Sequence, residues 1–248
     1  MRFALLVLST LVIGHAAPAV ADDALPSARE VVDRYIEATG AEVLEGQVSR
    51  KIVGTFSVPA QGLSGNLTVY AMPPNKAYTE IELTGMGTIR QGYDGEHAWS
   101  MDPFQGPQLM TGAAAEQQAM QSNWFSPLYR EEDVESMEIT GKTTFEGEEA
   151  YELDITRKGG VRAKEYFSVE SGLMLGTVME VETPMGAIPT RVIFGDYEEL
   201  GDMKVPTKTT MSSAGMQQVM IFDEVSTEEF DTSVFELPAA VKALTESE

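Results

Sequence analysis

From Ser49 onward the chain alternates apolar and polar side chains with a period of two. Ile52, Phe56 and Val58, for example, alternate with polar residues. Such alternation is typical of a strand with one buried and one solvated face. The pattern returns at Leu63 to Val69, Ile81 to Leu83 and Tyr151 to Ile155, and turn-forming pairs such as Asp94-Gly95, Glu146-Gly147, Gly159-Gly160, Ser171-Gly172 and Ala214-Gly215 lie between the segments.

Two segments have a helical pattern instead. Ser27 and Glu30 form a capping box after a proline, and Gly40 supplies a stop signal, so we expect an amphipathic helix over 27–39. The segment 112–124, GAAAEQQAMQSNW, is rich in alanine and glutamine and lacks an internal proline, which predicts a second helix.

These elements predict a mainly β protein of about eleven or twelve antiparallel strands with two helical segments. Consistent alternation excludes a doubly wound parallel sheet, whose strands are apolar on both faces. Neither an internal repeat nor a linker divides the chain, so we expect one domain over 22–248.

The N-terminus reads as a secretory signal peptide over 1–21. Arg2 gives the positive end, an apolar run follows to Ile13, and Ala19-Val20-Ala21 is a small-residue cleavage motif. The apolar run is too short to span a bilayer. We therefore expect a periplasmic protein cleaved after Ala21.

The chain is strongly acidic, with 39 Asp and Glu against 17 Lys and Arg and a formal net charge of −22. Such a charge repels phosphate backbones, so nucleic acid is excluded as a partner. Cysteine is absent, which removes disulfides, thiolate catalysis and cysteine metal sites. The acidity indicates either a solubility-enhancing surface or attraction to a basic partner.

The chemistry-bearing residues give little support for an enzyme. His97 is the only histidine beyond the signal peptide and follows Asp94 by three residues. It could act as a base, but Asp94-Gly95 is also a favoured hairpin turn, and neither a GxSxG nor an HExxH motif occurs. Paired carboxylates at Glu80 and Glu82, and at Glu180 and Glu182, fit the solvated face of an amphipathic strand better than a glycosidase or cation site. We expect no catalytic, cofactor or metal residues.

Four basic residues flank the Gly159-Gly160 turn: Arg157, Lys158, Arg162 and Lys164. A solvated hairpin explains them, and so does a docking patch for an acidic partner or an anionic head group.

Methionine is unusually frequent, with 14 residues. Its flexible side chain fills cores and also lines surfaces that accommodate ligands of varied shape, including acyl chains. Composition leaves both interpretations open.

Two stretches resemble the periplasmic outer-membrane lipoprotein-sorting proteins of LolA-like fold: YDGEHAWSMDPFQGPQLMTG and SGLMLGTVMEVETPMGAIPTRVIFGDYEELGDMKVPTKTTM. The first matches the family pattern of DG, a tryptophan and a proline-containing turn at Asp94, Gly95, Trp99 and Pro103. In the second, Asp196 and Tyr197 end one strand, and Pro206 lies in the next.

The resemblance implies a strongly curved, unclosed antiparallel sheet, a half-barrel whose concave apolar face is covered by helices, with the helix over 112–124 as a lid. It implies a monomer that binds lipid or lipoprotein acyl chains, with inner-membrane donor and outer-membrane acceptor proteins as possible partners. Arg90 is the counterpart proposed for the family's lid-tethering arginine. The residues predicted to contact lipid are Ile52, Phe56, Leu67, Val69, Ile81, Leu83, Trp99, Met101, Met120, Trp124, Leu153, Leu175, Met179, Val181, Met211 and Met220.

The sequence therefore predicts a non-enzymatic carrier that sorts lipoproteins to the outer membrane. The alternative is a non-catalytic envelope adaptor that uses the same fold and docks through the basic hairpin.

Overall fold

The computed structural model describes residues 24–183 and 186–245, so the predicted signal peptide lies outside the described residues. Thirteen strands form one antiparallel sheet in the order β6-β5-β4-β3-β2-β1-β13-β12-β11-β10-β9-β8-β7. The strands are β1 (Arg50–Val58), β2 (Leu63–Met72), β3 (Lys76–Leu83), β4 (Gly87–Tyr93), β5 (Ala98–Asp102), β6 (Gly106–Leu109), β7 (Val134–Phe145), β8 (Glu148–Arg157), β9 (Arg162–Ser168), β10 (Met174–Thr183), β11 (Gly186–Leu200), β12 (Met203–Ser213) and β13 (Met216–Ser226).

The sheet is strongly curved but does not close, because its two edge strands, β6 and β7, do not pair with each other. All neighbours except β1 and β13 are consecutive in sequence, so the sheet consists of two hairpin meanders joined at its centre. The predicted half-barrel is confirmed, with one or two more strands than the pattern indicated.

Helix α1 (Ala28–Thr39) covers one end of the concave face. Its capping box at Ser27 and Glu30 is formed, and Gly40 adopts the left-handed conformation that ends the helix. Val32 and Ile36 are buried against the sheet residues Leu153 and Phe167. The apolar face of α1 and the apolar side chains of these strands thus form one core.

Helix α2 (Gly112–Gln121) lies in the segment that connects the two edge strands, across the open side of the sheet. It contacts β4 and β5 on one arm and β10 on the other, yet none of its residues is buried. Beyond it Trp124 is buried, and its indole Nε1 donates to the Leu44 carbonyl at 2.9 Å. The segment is therefore anchored after the helix, while the helix itself packs loosely.

The convex face has an apolar patch of its own, covered by the C-terminal segment with helix α3 (Ala239–Thr245). Trp99 lies there, beside Tyr78, with ring centroids 6.0 Å apart. Cross-strand pairs share a face, and Trp99 pairs with Gly92, which pairs with Tyr78. Phe235 and Val241 are buried in the covering segment.

Three residues that the sequence assigned to the concave face lie on the convex face. Trp99 and Met101 share the face of Tyr78, and the alternation looked inward because the convex patch is also apolar. Leu175 packs with Phe145 and Tyr166. The register of β10 is irregular between Met174 and Gly176, and this irregularity exchanges which alternate residues face the concave side.

Among the described residues, no helix is long and apolar enough to cross a membrane.

Candidate functional site

The concave face encloses a cavity of about 350 Å³ between β8–β12 and the helical segments. Met174, Met179 and Phe194 line it from the sheet, and Met120 of α2 lines it from above. Its remaining lining residues are Tyr35, Gln121, Ser126, Pro127, Tyr129, Arg157, Val161, Ala163, Glu165, Thr177, Tyr197 and Pro206.

A wider groove of about 900 Å³ continues from this cavity along α2. Met120, Val161, Ala163 and Met179 line both spaces, so the two communicate. The groove ends at the β8–β9 hairpin, 159–162, where it meets solvent. Both volumes lie in the range of about 300–1,000 Å³ that small-molecule sites occupy.

A buried ion pair lies in the wall of the cavity. The Arg157 guanidinium donates to Glu165 Oε1 at 2.9 Å, and the Tyr129 hydroxyl donates to Glu165 Oε2 at 2.6 Å. The Arg157 and Glu165 side chains are only 15% and 6% exposed. Arg157 also lies 5.0 Å from the Tyr129 ring centroid, so the carboxylate is fully compensated.

Burial, together with this network, raises the pKa values of the neighbouring tyrosines. Burial raises the pKa of Tyr35 to about 12, with a further contribution from the Glu165 carboxylate that Arg157 opposes. The same effects, with burial the largest, raise the pKa of Tyr129 well above its ordinary value. The cavity wall is therefore polar but neutral overall at ordinary pH.

Threonines form part of the concave face. Thr177, Thr190 and Thr209 are buried on three adjacent strands, β10 to β12. The Thr190 hydroxyl pairs with Ser213 Oγ at 2.9 Å, whereas Thr177 Oγ1, which lines the cavity, has no hydrogen-bond partner among the described residues. Thr177 is thus a polar group in the cavity wall whose hydrogen-bonding capacity is unused by the described residues.

The structure divides the predicted lipid-contacting residues into several groups. Met120 and Met179 line the cavity, while Trp124 and Leu153 belong to the core under α1. Cross-strand pairing places Ile52, Val181 and Met211 on the concave face. A second apolar cluster on that face, under the other arm, contains Phe56, Leu67, Val69, Ile81, Leu83 and Met220.

The polar lining was not found from the sequence. Glu165 lies between Ala163 and Phe167 at the concave-face parity of β9, so an acidic residue at an apolar position was the available signal. Tyr197 was noted only as part of a family motif. Its hydroxyl donates to the Met174 carbonyl at 2.8 Å inside the cavity.

The four basic residues of the β8–β9 hairpin differ in their environments. Arg157 turns into the cavity, and Lys164 pairs with Glu152 at 2.5 Å and Asp154 at 3.6 Å. Lys158 and Arg162 are exposed, and neither forms an ion pair among the described residues. Two free cations thus remain at the turn.

Asp94 and His97 form the β4–β5 turn. Asp94 Oδ1 accepts the backbone N–H groups of Glu96 and His97 at 2.8 and 2.7 Å, and Oδ2 lies 3.3 Å from His97 Nδ1. These hydrogen bonds lower the pKa of Asp94 although burial opposes them. Arg90 pairs with Glu80 on the neighbouring strand at 2.6 Å, on the convex face, and so does not contact α2 as the expected tether would.

Across the described residues no cluster of three or more histidine, aspartate and glutamate side chains could hold a metal ion.

No protein-family model and no curated protein matches the sequence. Solved structures do match. A LolA superfamily protein from Nitrosomonas europaea is 14% identical with a TM-score of 0.57, and covers 86% of this chain and 99% of its own. A DUF1329 family protein from Desulfovibrio piger is 13% identical with a TM-score of 0.55, and the match covers 86% of this chain and 98% of that one.

A third structure, assigned as an outer membrane lipoprotein-sorting protein domain from Vibrio parahaemolyticus, is 10% identical with a TM-score of 0.52. The match covers 83% of this chain and 97% of that one. At such identities the likeness is one of fold. Together with the open antiparallel sheet and its helical cover, it establishes that this chain has the LolA-like fold.

Proposed function

We propose that this protein is a non-enzymatic periplasmic carrier that binds the acyl chains of lipids or lipoproteins in the cavity beneath α2. The observation that carries the proposal is a methionine-lined cavity joined to a groove that reaches solvent. Each exposed methylene costs about 0.8 kcal/mol in water, so an acyl chain crossing an aqueous compartment needs such shelter and no catalyst.

The loose packing of α2 over the cavity supports a site that can open. α2 touches both arms of the sheet but has no buried residue, so few apolar contacts oppose its displacement. Met120 projects from it into the cavity. An acyl chain could then enter by moving α2 alone, while the anchor at Trp124 stays in place.

The fold supports the choice of cargo. The Vibrio parahaemolyticus domain with this fold is assigned to outer membrane lipoprotein sorting, and we extend that role to this chain as part of the proposal. The predicted signal peptide supports a periplasmic location. Asp94 and His97 serve a hairpin turn in this interpretation and have no catalytic role.

Binding of a diacylated lipopeptide, followed by native mass spectrometry, tests the carrier. Met179→Glu puts a charge into the cavity and should abolish uptake. Ile221→Glu is the matched control, because Ile221 is 41% exposed and pairs with Lys208 on the convex face. Equal uptake by both variants, or an empty wild-type protein with every acylated ligand, would refute a carrier that uses this cavity.

The free cations at the β8–β9 turn favour one alternative, an adaptor that captures an acidic partner. Lys158→Glu with Arg162→Glu would then abolish capture while lipopeptide uptake persists. If the protein is a carrier, Met179→Glu should lose lipopeptide uptake, whereas the double variant at Lys158 and Arg162 should retain it.

A further inference from the structure

The hairpin tips at one end of the sheet lack acidic charge almost completely. The meander places the β1–β2, β3–β4, β5–β6, β8–β9, β10–β11 and β12–β13 turns at this end, which we call the neutral end. The residues 56–66, 83–89, 103–106 and 209–219, around four of these turns, contain no charged side chain, in a chain of net charge −22. The β8–β9 turn carries the cations Lys158 and Arg162, and Glu182 precedes the β10–β11 turn. Asp102 lies just before the β5–β6 turn, where its Oδ1 accepts two backbone N–H groups.

The opposite end has the contrary composition. Four of its five turns carry acidic residues: Asp94 and Glu96 at β4–β5, Glu146 at β7–β8, Glu170 at β9–β10 and Asp202 at β11–β12. The negative charge of the turns is therefore segregated along the strand direction. A surface kept acidic only for solubility would not need this segregation.

Four neighbouring tips of the neutral end form a continuous surface. A Cβ on Gly87 would lie 3.3 Å from Pro103 Cβ, so the β3–β4 and β5–β6 turns touch. The Thr84 amide donates to the Ser64 carbonyl at 2.9 Å, which joins β3–β4 to β1–β2. Gln61 Nε2 lies 3.3 Å from Met216 Sδ, which continues the contact to β12–β13.

Large apolar side chains project from this surface. Phe104 is 65% exposed, Met216 45% and Met86 41%, each on a different turn. Between them lie glycine, alanine, serine, threonine and glutamine. Single apolar side chains spread over several uncharged turns suit insertion into a flat, fluid apolar medium, whereas a protein partner is usually held by a packed central cluster.

We propose that the neutral end docks on a zwitterionic lipid bilayer, with Phe104, Met86 and Met216 inserted below the head groups. The groove beside α2 ends at the β8–β9 turn, at the same end of the sheet, so docking brings its mouth to the membrane. The acidic turns then face away from the bilayer. Head groups without net charge are favoured because the turns of Phe104, Met86 and Met216 have no cation that could pair with an anionic head group, and the net charge of −22 repels an anionic surface at low ionic strength. Lys158 and Arg162 lie on the separate β8–β9 turn.

Vesicle flotation without any cargo tests this inference, using the chain from Asp22 so that the apolar N-terminal run does not itself bind lipid. Phosphatidylcholine vesicles should bind the wild-type chain. Phe104→Ser with Met86→Ser should lower the partition coefficient at least tenfold, as loss of two inserted side chains implies. Val48→Ser with Leu25→Ser is the matched control, since both residues are exposed apolar side chains away from the neutral-end turns, and should bind like wild type.

Replacing part of the phosphatidylcholine by phosphatidylglycerol should weaken binding, and added salt should relieve the weakening. All four substitutions are at exposed positions, so unchanged thermal melting will show that folding is intact. Equal binding by both double variants, or binding that requires the anionic lipid, would overturn the proposal. Because no cargo is present, vesicle binding and lipopeptide uptake can fail independently.

Discussion

The Arg157 guanidinium lies 2.9 Å from Glu165 Oε1 inside the concave face, in the wall of a methionine-lined cavity. Burying an ion pair costs desolvation free energy, which the attraction between the two charges and their hydrogen bonds offsets. Removing one partner therefore leaves the other charge buried without compensation. Glu165→Ala leaves the guanidinium unpaired and should lower the free energy of unfolding by about 3–5 kcal/mol. Urea unfolding measures the change.

Lys164→Ala is the comparison for that variant, because it removes the exposed Lys164–Glu152 pair on the same strand. Exposed pairs contribute about 0–1 kcal/mol. A loss for Glu165→Ala as small as that for Lys164→Ala would show that the buried network contributes little to folding.

Thr177→Val should stabilise the protein, by about 1 kcal/mol, because the buried hydroxyl has no partner among the described residues. Thr190→Val provides a change of opposite sign, since it deprives Ser213 of its hydrogen bond and should cost about 1 kcal/mol. Thermal unfolding of the two variants separates these outcomes. If Thr177→Val and Thr190→Val lose stability equally, the Thr177 hydroxyl must form a hydrogen bond inside the cavity, and the prediction is wrong.

Gly92→Ala should destabilise the sheet, because a Cβ on residue 92 would lie 2.9 Å from the Trp99 ring. Trp99 is 1% exposed and cannot withdraw, so overpacking should cost about 1–3 kcal/mol. Gly141→Ala is the matched control, with no atom within 4 Å of its added Cβ. A wild-type unfolding midpoint for Gly92→Ala would contradict the packing of the convex face.

Stability should fall at alkaline pH through the cavity tyrosines. The pKa of Tyr35 is about 12 in the folded chain and about 10 when unfolded, so its contribution is complete below pH 10 and is lost as the pH rises to 12. At pH 11 the loss from Tyr35 alone is about 1 kcal/mol. Tyr35→Phe should therefore narrow the difference in unfolding free energy between pH 8 and pH 11, and an unchanged difference would exclude the buried hydroxyl as its source.

Period-two alternation predicted the antiparallel sheet because most strands bury one face only, and the family resemblance implied its curvature. The alternation assigned the wrong face to Trp99, since the C-terminal segment buries the convex surface above β5 and makes both faces apolar there. At Leu175 a single register irregularity in β10 reversed the face on which the side chain lies, and the local sequence does not signal such a shift.

The polar part of the cavity escaped prediction for a different reason. Arg157 looked like one of four exposed turn cations, and only the pairing of β8 with β9 brings it to Glu165. Tyr129 reaches the same carboxylate from the segment after α2, far away in sequence. Contacts that depend on tertiary arrangement leave no short-range pattern. Met120 and Met179, which were named among the lipid-contacting residues with the family resemblance, do line the cavity.

The first and last strands pair at the centre of the sheet, through contacts such as Phe56 with Met220. Each meander can assemble from neighbouring hairpins, but this seam must wait until the final strand is available. A chain truncated before β13 would present two unsatisfied edges in mid-sheet, with both apolar halves uncovered. Premature termination near the C-terminus should therefore yield an aggregation-prone product even though most of the molecule's strands remain encoded.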